Sequence, residues 1–243
     1  MQDAVIAEVN SVVAQIIKPG MSDLEKEIAI NHYLCSTSEY DYAALESLSD
    51  NNFRSIEKKF IHSSTPYGVL INKVGICASY AGAFKLLGEA AGLDVVIVIG
   101  NLNGNSPHAW NRVKIDGYWM TIDTTNNGSL IENAYFNIPD RISKGILVED
   151  NNYIFKPVLA TLKGTAEDLE LYRVMGNYYS LSNLKSALAK GLRDGKNFLV
   201  RTDYDVSLED VTEILTEAAY ESGAEIYSVR FLYWVGVIYV MLE

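Results

Sequence analysis

The chain has 243 residues, of which 49% are hydrophobic and 21% are charged, so it can bury one large core or two modest ones. The 20 basic and 31 acidic residues give a formal net charge of -11, which opposes binding to nucleic acid or to an anionic membrane surface. No apolar run approaches the roughly 20 residues that span a bilayer, and the first residues lack the pattern of a secretion signal. We therefore expect a globular protein with no nucleic-acid partner and no transmembrane segment.

The cysteine and histidine content argues against a metal site. Two cysteines, Cys35 and Cys77, are too few for a disulfide framework or for a zinc site built from thiolates. His32 and His62 have no partner at metal-ligand spacing, so we predict neither a metal nor another cofactor. Cys35 falls on the apolar stripe of a predicted helix, which favours a core residue, whereas Cys77 could act as a nucleophile.

The first predicted element is a helix from Asp23 to Cys35. Ser22 and Glu25 form a capping-box pair at its start, and apolar residues follow at helical spacing. Residues 43–74 show no clear pattern, and within them Asn51-Asn52 and Ser63-Ser64-Thr65-Pro66 predict loop and turn.

The central predicted element is a helix that begins at Cys77. Apolar residues recur at helical spacing up to Ala91, and the small residues between them suit a helix that is packed on more than one side. Gly92 closes this helix, and the continuous apolar run Val95–Ile99 predicts a buried strand. Residues 100–106 are rich in glycine, asparagine and serine and predict a loop.

A β-hairpin follows this loop. Alternating residues predict strands at 108–115 and 118–124, on either side of Asp116-Gly117, a pair typical of two-residue hairpin turns. Together with the central helix and the buried strand, the hairpin indicates an α+β architecture.

The hairpin register places two titratable side chains on one face. If Asp116 and Gly117 fill the turn, Asp123 lies opposite Trp110 on the neighbouring strand. His108 is two positions from Trp110, so it points to the same face as Asp123, on a diagonal of roughly 7 to 8 Å between backbones. An imidazole and a carboxylate can close that distance.

A composition shift near residues 171–179 indicates a domain boundary, which we place after residue 172. Residues 1–172 then form the N-terminal domain, and residues 173–243 a small α+β accessory domain near the lower size that folds without disulfides or metals. The predicted elements of the accessory domain are helices at 181–192 and 207–220, and strands at 198–201, 226–234 and 237–242.

Three residues supply the groups that covalent acyl transfer requires. A thiol at a helix N-terminus is favoured as the thiolate by the helix dipole and by free backbone N–H groups. Cys77 is predicted at such a position, and in this arrangement it is the nucleophile, His108 the general base and Asp123 the group that orients the imidazole. A buried and inert Cys77 is the alternative for the cysteine taken alone.

Three segments resemble the core of the transglutaminase-like superfamily. They are YGVLINKVGICASYAGAF, HAWNRVKIDGYWMTIDTT and AYFNIPD, in that order, within about residues 20–160. The Tyr40-Asp41 pair after the first helix is also common in the family, whereas Ala78-Ser79 departs from bacterial relatives that have glycine after Cys-x. The resemblance implies a papain-like α+β fold, with a nucleophile helix packed on an antiparallel sheet that carries the histidine and the aspartate.

The resemblance also implies an activity and a location. It indicates that residues 1–172 catalyse thiol-dependent acyl transfer on peptide or amide bonds through Cys77, His108 and Asp123. Hydrolysis is favoured over cross-linking, with a protein or peptide substrate such as a cell-wall peptide. Similar bacterial chains are often exported, so we expect an extracellular or cell-surface location. The alternative is a non-catalytic cell-surface binding or scaffold module that retains the fold.

The groups that stabilise the oxyanion intermediate are predicted only in part. The backbone N–H of Cys77 is the natural first donor. Family relatives take a second donor from the segment before the cysteine or from a nearby aromatic residue, and Tyr67 and Asn72 are the candidates here. Tyr80 and Trp110 are further pocket candidates, although aromatic residues on hairpins are more often part of the core.

Overall fold

The computed structural model describes residues 1–129, 131–152, 156–224 and 228–242. The chain forms two compact units, made of residues 1–129 with 135–169 and of residues 130–134 with 170–243. Each unit combines helices with an antiparallel sheet, which confirms the predicted α+β class. The predicted folding boundary after residue 172 stays a prediction. Among the described residues, no helix has the length and apolar character needed to cross a membrane.

The first unit begins with two helices, α1 (Gln2–Ile16) and α2 (Asp23–Thr37). The predicted capping box at the start of α2 is present, because the Ser22 hydroxyl accepts from the Glu25 N–H and the Glu25 carboxylate accepts from the Ser22 N–H. The sequence pattern does not reveal α1, since only Val9 and Val12 of this helix are buried and its apolar stripe is narrow.

The segment between α2 and the central helix is more ordered than its turn-rich sequence suggests. It contains strand β1 (Glu39–Tyr40), helix α3 (Tyr42–Asp50), a 3-10 helix (Lys58–Ser64), a π-helical turn (Gly68–Asn72) and strand β2 (Val74–Gly75). The predicted turn at Asn51-Asn52 is confirmed, whereas Ser63 and Ser64 of the second predicted turn end the 3-10 helix. These elements are short, and a hydrophobic period is not resolved over so few residues.

Two short strands bring this segment to the start of the central helix. Strands β1 and β2 pair in parallel, with Tyr40 opposite Gly75. The Asp41 carboxylate accepts a hydrogen bond from the Ala44 N–H at 2.9 Å, which caps α3, and another from the Ser63 hydroxyl at 2.6 Å. Tyr40 is thereby held next to the residues that precede the helix.

The central helix is α4 (Cys77–Ala90), followed by β3 (Val95–Leu102), β4 (Ser106–Ile115) and β5 (Tyr118–Ile122). The predicted helix start at Cys77 is confirmed. Strand β3 pairs with β4 out to Leu102 and Ser106, so the predicted loop at 100–106 is reduced to a tight turn at 103–105. Helix α4 packs against β3, β4 and α2.

The first unit ends with α5 (Thr124–Asn127), α6 (Asp140–Ile146), β6 (Leu147–Glu149), α7 (Lys156–Leu159) and a 3-10 helix (Glu167–Leu169). Its antiparallel sheet has the order β5-β4-β3-β6. The buried Arg112 on β4 lies 3.3 Å from an Asp140 carboxylate oxygen and 3.0 Å from a Glu149 carboxylate oxygen. These ion pairs fix the chain after the hairpin against the sheet.

The second unit contains α8 (Leu171–Val174), α9 (Leu181–Asp194), β7 (Phe198–Arg201), α10 (Leu208–Ser222), β8 (Val229–Trp234) and β9 (Val237–Leu242). Its antiparallel sheet has the order β7-β9-β8, and leucine and valine side chains of α9 and α10 share a core with it. These elements confirm the predicted helices and strands, within a residue or two at their ends. The predicted strand residues Ile226 and Tyr227 lie outside the described residues.

A buried arginine joins the two stretches of the second unit. Arg201 Nη1 lies 2.6 Å from a Glu170 carboxylate oxygen, and both side chains are almost fully buried. The Arg201 Nη2 donates to the Ala134 carbonyl, and the Tyr172 hydroxyl donates to the Glu132 carbonyl. Burial raises the pKa of Glu170, and the Arg201 charge opposes that rise. Residues 131–134 are thus bonded to the C-terminal part of the chain.

Candidate active site

Cys77 is the first residue of α4 and is half-buried. The chain enters this helix through Ile76, which is extended and whose N–H donates to the Ser63 carbonyl at 2.8 Å. Isoleucine has no side-chain acceptor, so it cannot cap the first N–H groups of α4. The thiol therefore lies at the positive end of the helix dipole, beside N–H groups that can stabilise negative charge.

Ser79 anchors the start of α4 on the side away from solvent. Its side chain is fully buried, and its Oγ accepts from the Val69 N–H at 3.0 Å and donates to the Thr65 carbonyl. A Cβ at Gly68 or Gly75 would lie within 3 Å of this hydroxyl, so neither glycine can be replaced without displacing Ser79. The departure from the family pattern at Ser79 therefore shapes the packed side of the helix.

The hairpin has the predicted register. Ile115 pairs with Tyr118, and the pairing continues to the end of β5. The turn residues Asp116 and Gly117 have φ angles of 50° and 89°, which is the left-handed conformation that a two-residue hairpin turn requires. A one-residue slip would move every side chain of β5 to the other face.

This register brings His108 and Asp123 into contact. Asp123 directly follows β5 and is fully buried, and its Oδ2 lies 2.7 Å from His108 Nε2. Because Nε2 faces Asp123, Nδ1 is the ring nitrogen left for Cys77, which is near enough to raise the pKa of His108. The ring of Trp110 stacks beside the imidazole, with centroids 6.2 Å apart. The structure thus brings together all three residues that we predict to be catalytic.

The surroundings of His108 favour its protonated form. Burial lowers the pKa of His108, but the adjacent Asp123 carboxylate and the hydrogen bond with Cys77 outweigh burial and raise the pKa to about 10. The imidazole therefore carries a positive charge at neutral pH. It lies between a carboxylate and a thiol and can give a proton to a leaving group.

Asn126 is a site residue that the sequence analysis does not identify. Asp123 is the N-cap residue of α5, and Asn126 follows in the first turn of this short helix. The Asn126 Nδ2 donates to Asp123 Oδ2 at 2.6 Å and lies 3.4 Å from His108 Nε2. This bond fixes the carboxylate in place. The three-residue spacing to an N-cap aspartate is a signal from which the contact could be predicted.

Tyr40 is a second residue that the sequence analysis does not assign to the site. Burial raises the pKa of Tyr40, and the nearby Cys77, Asp123 and Tyr42 raise it further, whereas a hydrogen bond with the Cys77 backbone lowers it. The phenol oxygen is therefore next to the Cys77 N–H, the predicted first oxyanion donor. Pairing of Tyr40 with Gly75 accounts for this position.

A pocket of about 670 Å³ opens beside His108. Its described lining includes Asn126 of the site and three tyrosines, Tyr40, Tyr42 and Tyr80. No group of three or more histidine, cysteine or acidic side chains within the described residues is arranged to hold a metal ion. The pocket gives a substrate access to the imidazole of His108.

A family model for the transglutaminase-like superfamily matches residues 10–124, the segment that holds Cys77, His108 and Asp123. Residues 10–124 belong to the transglutaminase-like superfamily. The papain-like arrangement that the resemblance implies, a nucleophile helix packed on an antiparallel sheet, is the arrangement of α4 on β3 and β4.

Two curated relatives and one solved structure are similar to this chain. Kyphoscoliosis peptidase of Mus musculus is 28% identical over 142 residues, which is 54% of this chain and 20% of that protein. Kyphoscoliosis peptidase of Homo sapiens is 26% identical over 134 residues, which is 51% of this chain and 19% of that protein. A crystal structure of a TGase shares 24% identity over 51% of this chain and 31% of its own, with a TM-score of 0.42. The chain spans about a fifth of the length of these curated relatives.

Only one of the four residues that we predict for the pocket of the transglutaminase-like core is in its described lining. Tyr80 lines the pocket. Tyr67 instead stacks on His62 with centroids 4.9 Å apart, Asn72 is exposed at the end of the π-helical turn, and Trp110 is buried behind His108. None of these three is among the lining residues that the structure describes.

Cys35 is predicted to be a core residue, but the structure places it at the wall of the pocket. It is half-buried and lines the pocket, and its Sγ lies 3.4 Å from the Thr124 carbonyl. Both Cys35 and Cys77 are thiols and not half-cystines. Leu34, the preceding residue, is fully buried, so Cys35 lies at the edge of the buried face of α2, which the helical pattern alone does not distinguish from its centre.

Behind the site, the transglutaminase-like core buries a carboxylic acid. Glu27 on α2 is fully buried, and its Oε2 accepts a hydrogen bond from Asn137 Nδ2 at 2.8 Å. Glu27 Oε1 and Asn137 Oδ1 are both buried without a hydrogen-bond partner within the described chain. Burial raises the pKa of Glu27 to about 8, against the effect of the Asn137 hydrogen bond. Glu27 is therefore protonated at neutral pH, and a proton on Oε1 can be donated to Asn137 Oδ1.

A second amide pair ties α2 to the segment that holds Asp123. Asn127 Nδ2 donates to Asn31 Oδ1 at 3.1 Å, and Asn127 Oδ1 accepts from the Tyr135 N–H at 2.8 Å. The Tyr135 carbonyl in turn accepts from the Asp123 N–H at 3.1 Å. Buried polar contacts on α2 therefore contribute to the position of the Asp123 carboxylate.

Proposed function

We propose that the chain is a thiol-dependent hydrolase of peptide or amide bonds. The observation that carries this proposal is the position of His108, whose Nε2 is hydrogen-bonded to the buried Asp123 and whose pKa is raised by the nearby Cys77. A thiol, a charged imidazole and a carboxylate in this order are the groups used in acyl transfer by cysteine enzymes. Similarity to two proteins named as peptidases supports the same reaction class.

The first half of the proposed reaction cleaves the amide. The Cys77 thiolate attacks the carbonyl carbon and forms a C–S bond, and the carbonyl electron pair moves to oxygen. When the tetrahedral intermediate collapses, the C–N bond breaks and the amine leaves with a proton from His108. The products of this half are a thioester on Cys77, a free amine and a neutral His108.

The second half hydrolyses the thioester. Neutral His108 takes a proton from water as the oxygen attacks the thioester carbon. The C–S bond then breaks, the carboxylic acid leaves, and the imidazolium and the thiolate are restored. Asp123 stabilises the imidazolium throughout, and Asn126 holds the Asp123 carboxylate in the orientation that does so.

Two groups donate to the oxyanion in this proposal, the Cys77 N–H and the Tyr40 hydroxyl. Burial raises the pKa of Tyr40, so the phenol keeps its proton and stays a donor. We expect Tyr40→Phe to lower kcat about 100-fold with little change in KM, because the bond forms only as charge develops on oxygen. Tyr118→Phe is the control, since Tyr118 is half-exposed at the hairpin turn. An unchanged kcat in Tyr40→Phe would remove Tyr40 from the mechanism.

Thiol labelling and peptide cleavage together test the proposed function. We expect iodoacetamide at pH 7 to label Cys77 faster than a free thiol in a model peptide, and faster than Cys35. Cys35→Ser and Cys77→Ala assign the two labelled thiols. Incubation with a peptide and amine library, cell-wall peptides included, is expected to give hydrolysis products by mass spectrometry that Cys77→Ala does not give. Slow labelling with no products would favour the binding or scaffold module, and amine-containing products would favour cross-linking.

A further inference from the structure

The pocket beside His108 has an acidic and aromatic corner. Tyr40 and Tyr42 meet edge to face, with ring centroids 5.1 Å apart, and Tyr80 lines the same pocket. Glu39 is the acidic residue of the described lining, which holds no lysine or arginine. We name Glu39, Tyr42 and Tyr80 the acidic corner.

The members of the acidic corner are close enough to influence one another. Tyr80 is almost fully buried, and burial raises its pKa, with further contributions from Cys35, Glu39 and Tyr42. The negative charge of Glu39 therefore reaches the Tyr80 hydroxyl. Glu39 and Tyr42 are mostly exposed, so both are accessible to a bound molecule.

The acidic corner lies within reach of the attacked carbonyl. Tyr80 is three residues after Cys77 on α4, so the two residues share one helix face, roughly 5 Å apart along the helix axis. One residue of an extended peptide spans about 3.3 Å. A peptide whose carbonyl carbon is at Cys77 can therefore place a side chain one or two residues away against Glu39.

The chemistry of the acidic corner selects a cation. Tyrosine ring faces attract ammonium and guanidinium groups, and a carboxylate adds a direct charge partner. The described lining holds no lysine or arginine, and the charge of its His108 imidazolium is balanced by the Asp123 carboxylate. Resting on the hydrolase function proposed above, we propose that the acidic corner binds a lysine or arginine side chain of the substrate, one or two residues from the cleaved bond. The corner repels glutamate or aspartate at that position.

An amine bound in this way is recognised and does not react. Contact with the Glu39 carboxylate favours the ammonium form, which has no lone pair with which to attack the thioester. The acidic corner is thus a specificity subsite, and water remains the acceptor in the proposed reaction.

Cleavage of matched peptides tests the preference. Peptides that differ at one position, as lysine, norleucine or glutamate, are compared by kcat/KM, with the position moved over two residues on each side of the cleaved bond. We expect lysine to exceed norleucine about tenfold at one position, and glutamate to be the poorest. Glu39→Gln is expected to remove most of this preference and Glu39→Lys to invert it. Glu46→Gln, an exposed acid on α3 outside the described lining, is the control and is expected to keep the preference.

Binding to the full-length Cys77→Ala variant separates this proposal from the proposed function. The same peptides are titrated by calorimetry, which does not depend on catalysis. Tighter binding of the lysine peptide that Glu39→Gln abolishes supports the subsite even if no peptide is cleaved. Cleavage with equal kcat/KM for lysine and norleucine, or equal binding of the two, overturns the subsite and leaves the hydrolase function intact. Incorporation of the lysine amine into an acyl product also overturns it.

Discussion

Asp123→Asn is expected to lower kcat/KM for peptide hydrolysis on the order of 10³- to 10⁴-fold and to shift its pH dependence. In the native protein the pKa of His108 is raised to about 10, so the imidazolium persists until the pH rises through that value. Without the Asp123 charge, burial, which lowers the pKa of His108, is opposed only by Cys77, so we expect this pKa to fall well below its native value. The variant therefore loses the proton donor for the leaving amine within the neutral range.

The pH profile of kcat/KM distinguishes this effect from a loss of structure. We expect native activity to fall as the pH rises through about 10, and the residual activity of Asp123→Asn to fall at a lower pH. Asp116→Asn is the control, because it makes the same chemical change at the exposed hairpin turn, where asparagine tolerates the left-handed backbone. The acidic and basic limbs of its pH profile should both match those of the native protein. A basic limb at the same pH in Asp123→Asn would show that Asp123 does not set the His108 pKa.

Glu27→Gln is expected to make the first unit more stable than the native protein at alkaline pH. The glutamine carbonyl can accept from Asn137 Nδ2, and its NH2 group can donate to Asn137 Oδ1, so both bonds of the protonated acid are reproduced without a titratable group. Glu27→Ala leaves a cavity and an unpaired amide, and is expected to cost about 2 to 4 kcal/mol at pH 4.5 and less as the pH rises, because only the native residue titrates.

The sign of the pH dependence follows from the raised pKa of Glu27. Folding raises this pKa from 4.5 to about 8, so the protonated acid stabilises the folded state. This contribution is complete below pH 4.5, declines as the pH rises, and is lost once the pH passes about 8. Its upper limit is about 5 kcal/mol, because one pKa unit corresponds to about 1.4 kcal/mol.

Unfolding in urea at pH 4.5, 7 and 9 measures this difference. The free energy of unfolding of Glu27→Gln minus that of the native protein should rise from near zero to a few kcal/mol across this range. The subtraction cancels His108, whose raised pKa also contributes stability that is present below pH 6.5 and lost as the pH rises through about 10. Hydrogen exchange of the α2 amides compares the stability of Glu27→Gln and the native protein for the first unit alone. If the free energies of unfolding of the two proteins change with pH in parallel, Glu27 is ionised in the folded state.

The main features of the candidate site could be predicted because they depend on local rules. The Asp116-Gly117 turn sets the hairpin register, and the register alone brings His108 toward Asp123. Helical spacing likewise places Cys77 at the first turn of α4. Each of these inferences requires only residues that are close together in the sequence.

The residues that the sequence did not reveal depend on contacts between distant segments. Tyr40 reaches the Cys77 N–H because a two-residue strand pairs with another one that is far away in the sequence. No hydrophobic period marks strands of this length. Acidic side chains are almost never fully buried unless they are paired, and only the packing of Asn137 against Glu27 makes a buried carboxylic acid acceptable here. The proposed oxyanion candidates Tyr67 and Asn72 are closer to Cys77 in sequence than Tyr40 is, but they do not line the pocket that the structure describes.

Arg201 is bonded to Glu170 and to the Ala134 carbonyl, although Ala134 follows soon after Asp123 in the sequence. A gene that ended at codon 172 would encode Glu170 without Arg201, the cation with which its carboxylate is paired. The Ala134 carbonyl would lose its Arg201 donor in the same event. The C-terminal residues are therefore not a simple tail, because their removal also takes a hydrogen-bond donor from the stretch just downstream of Asp123.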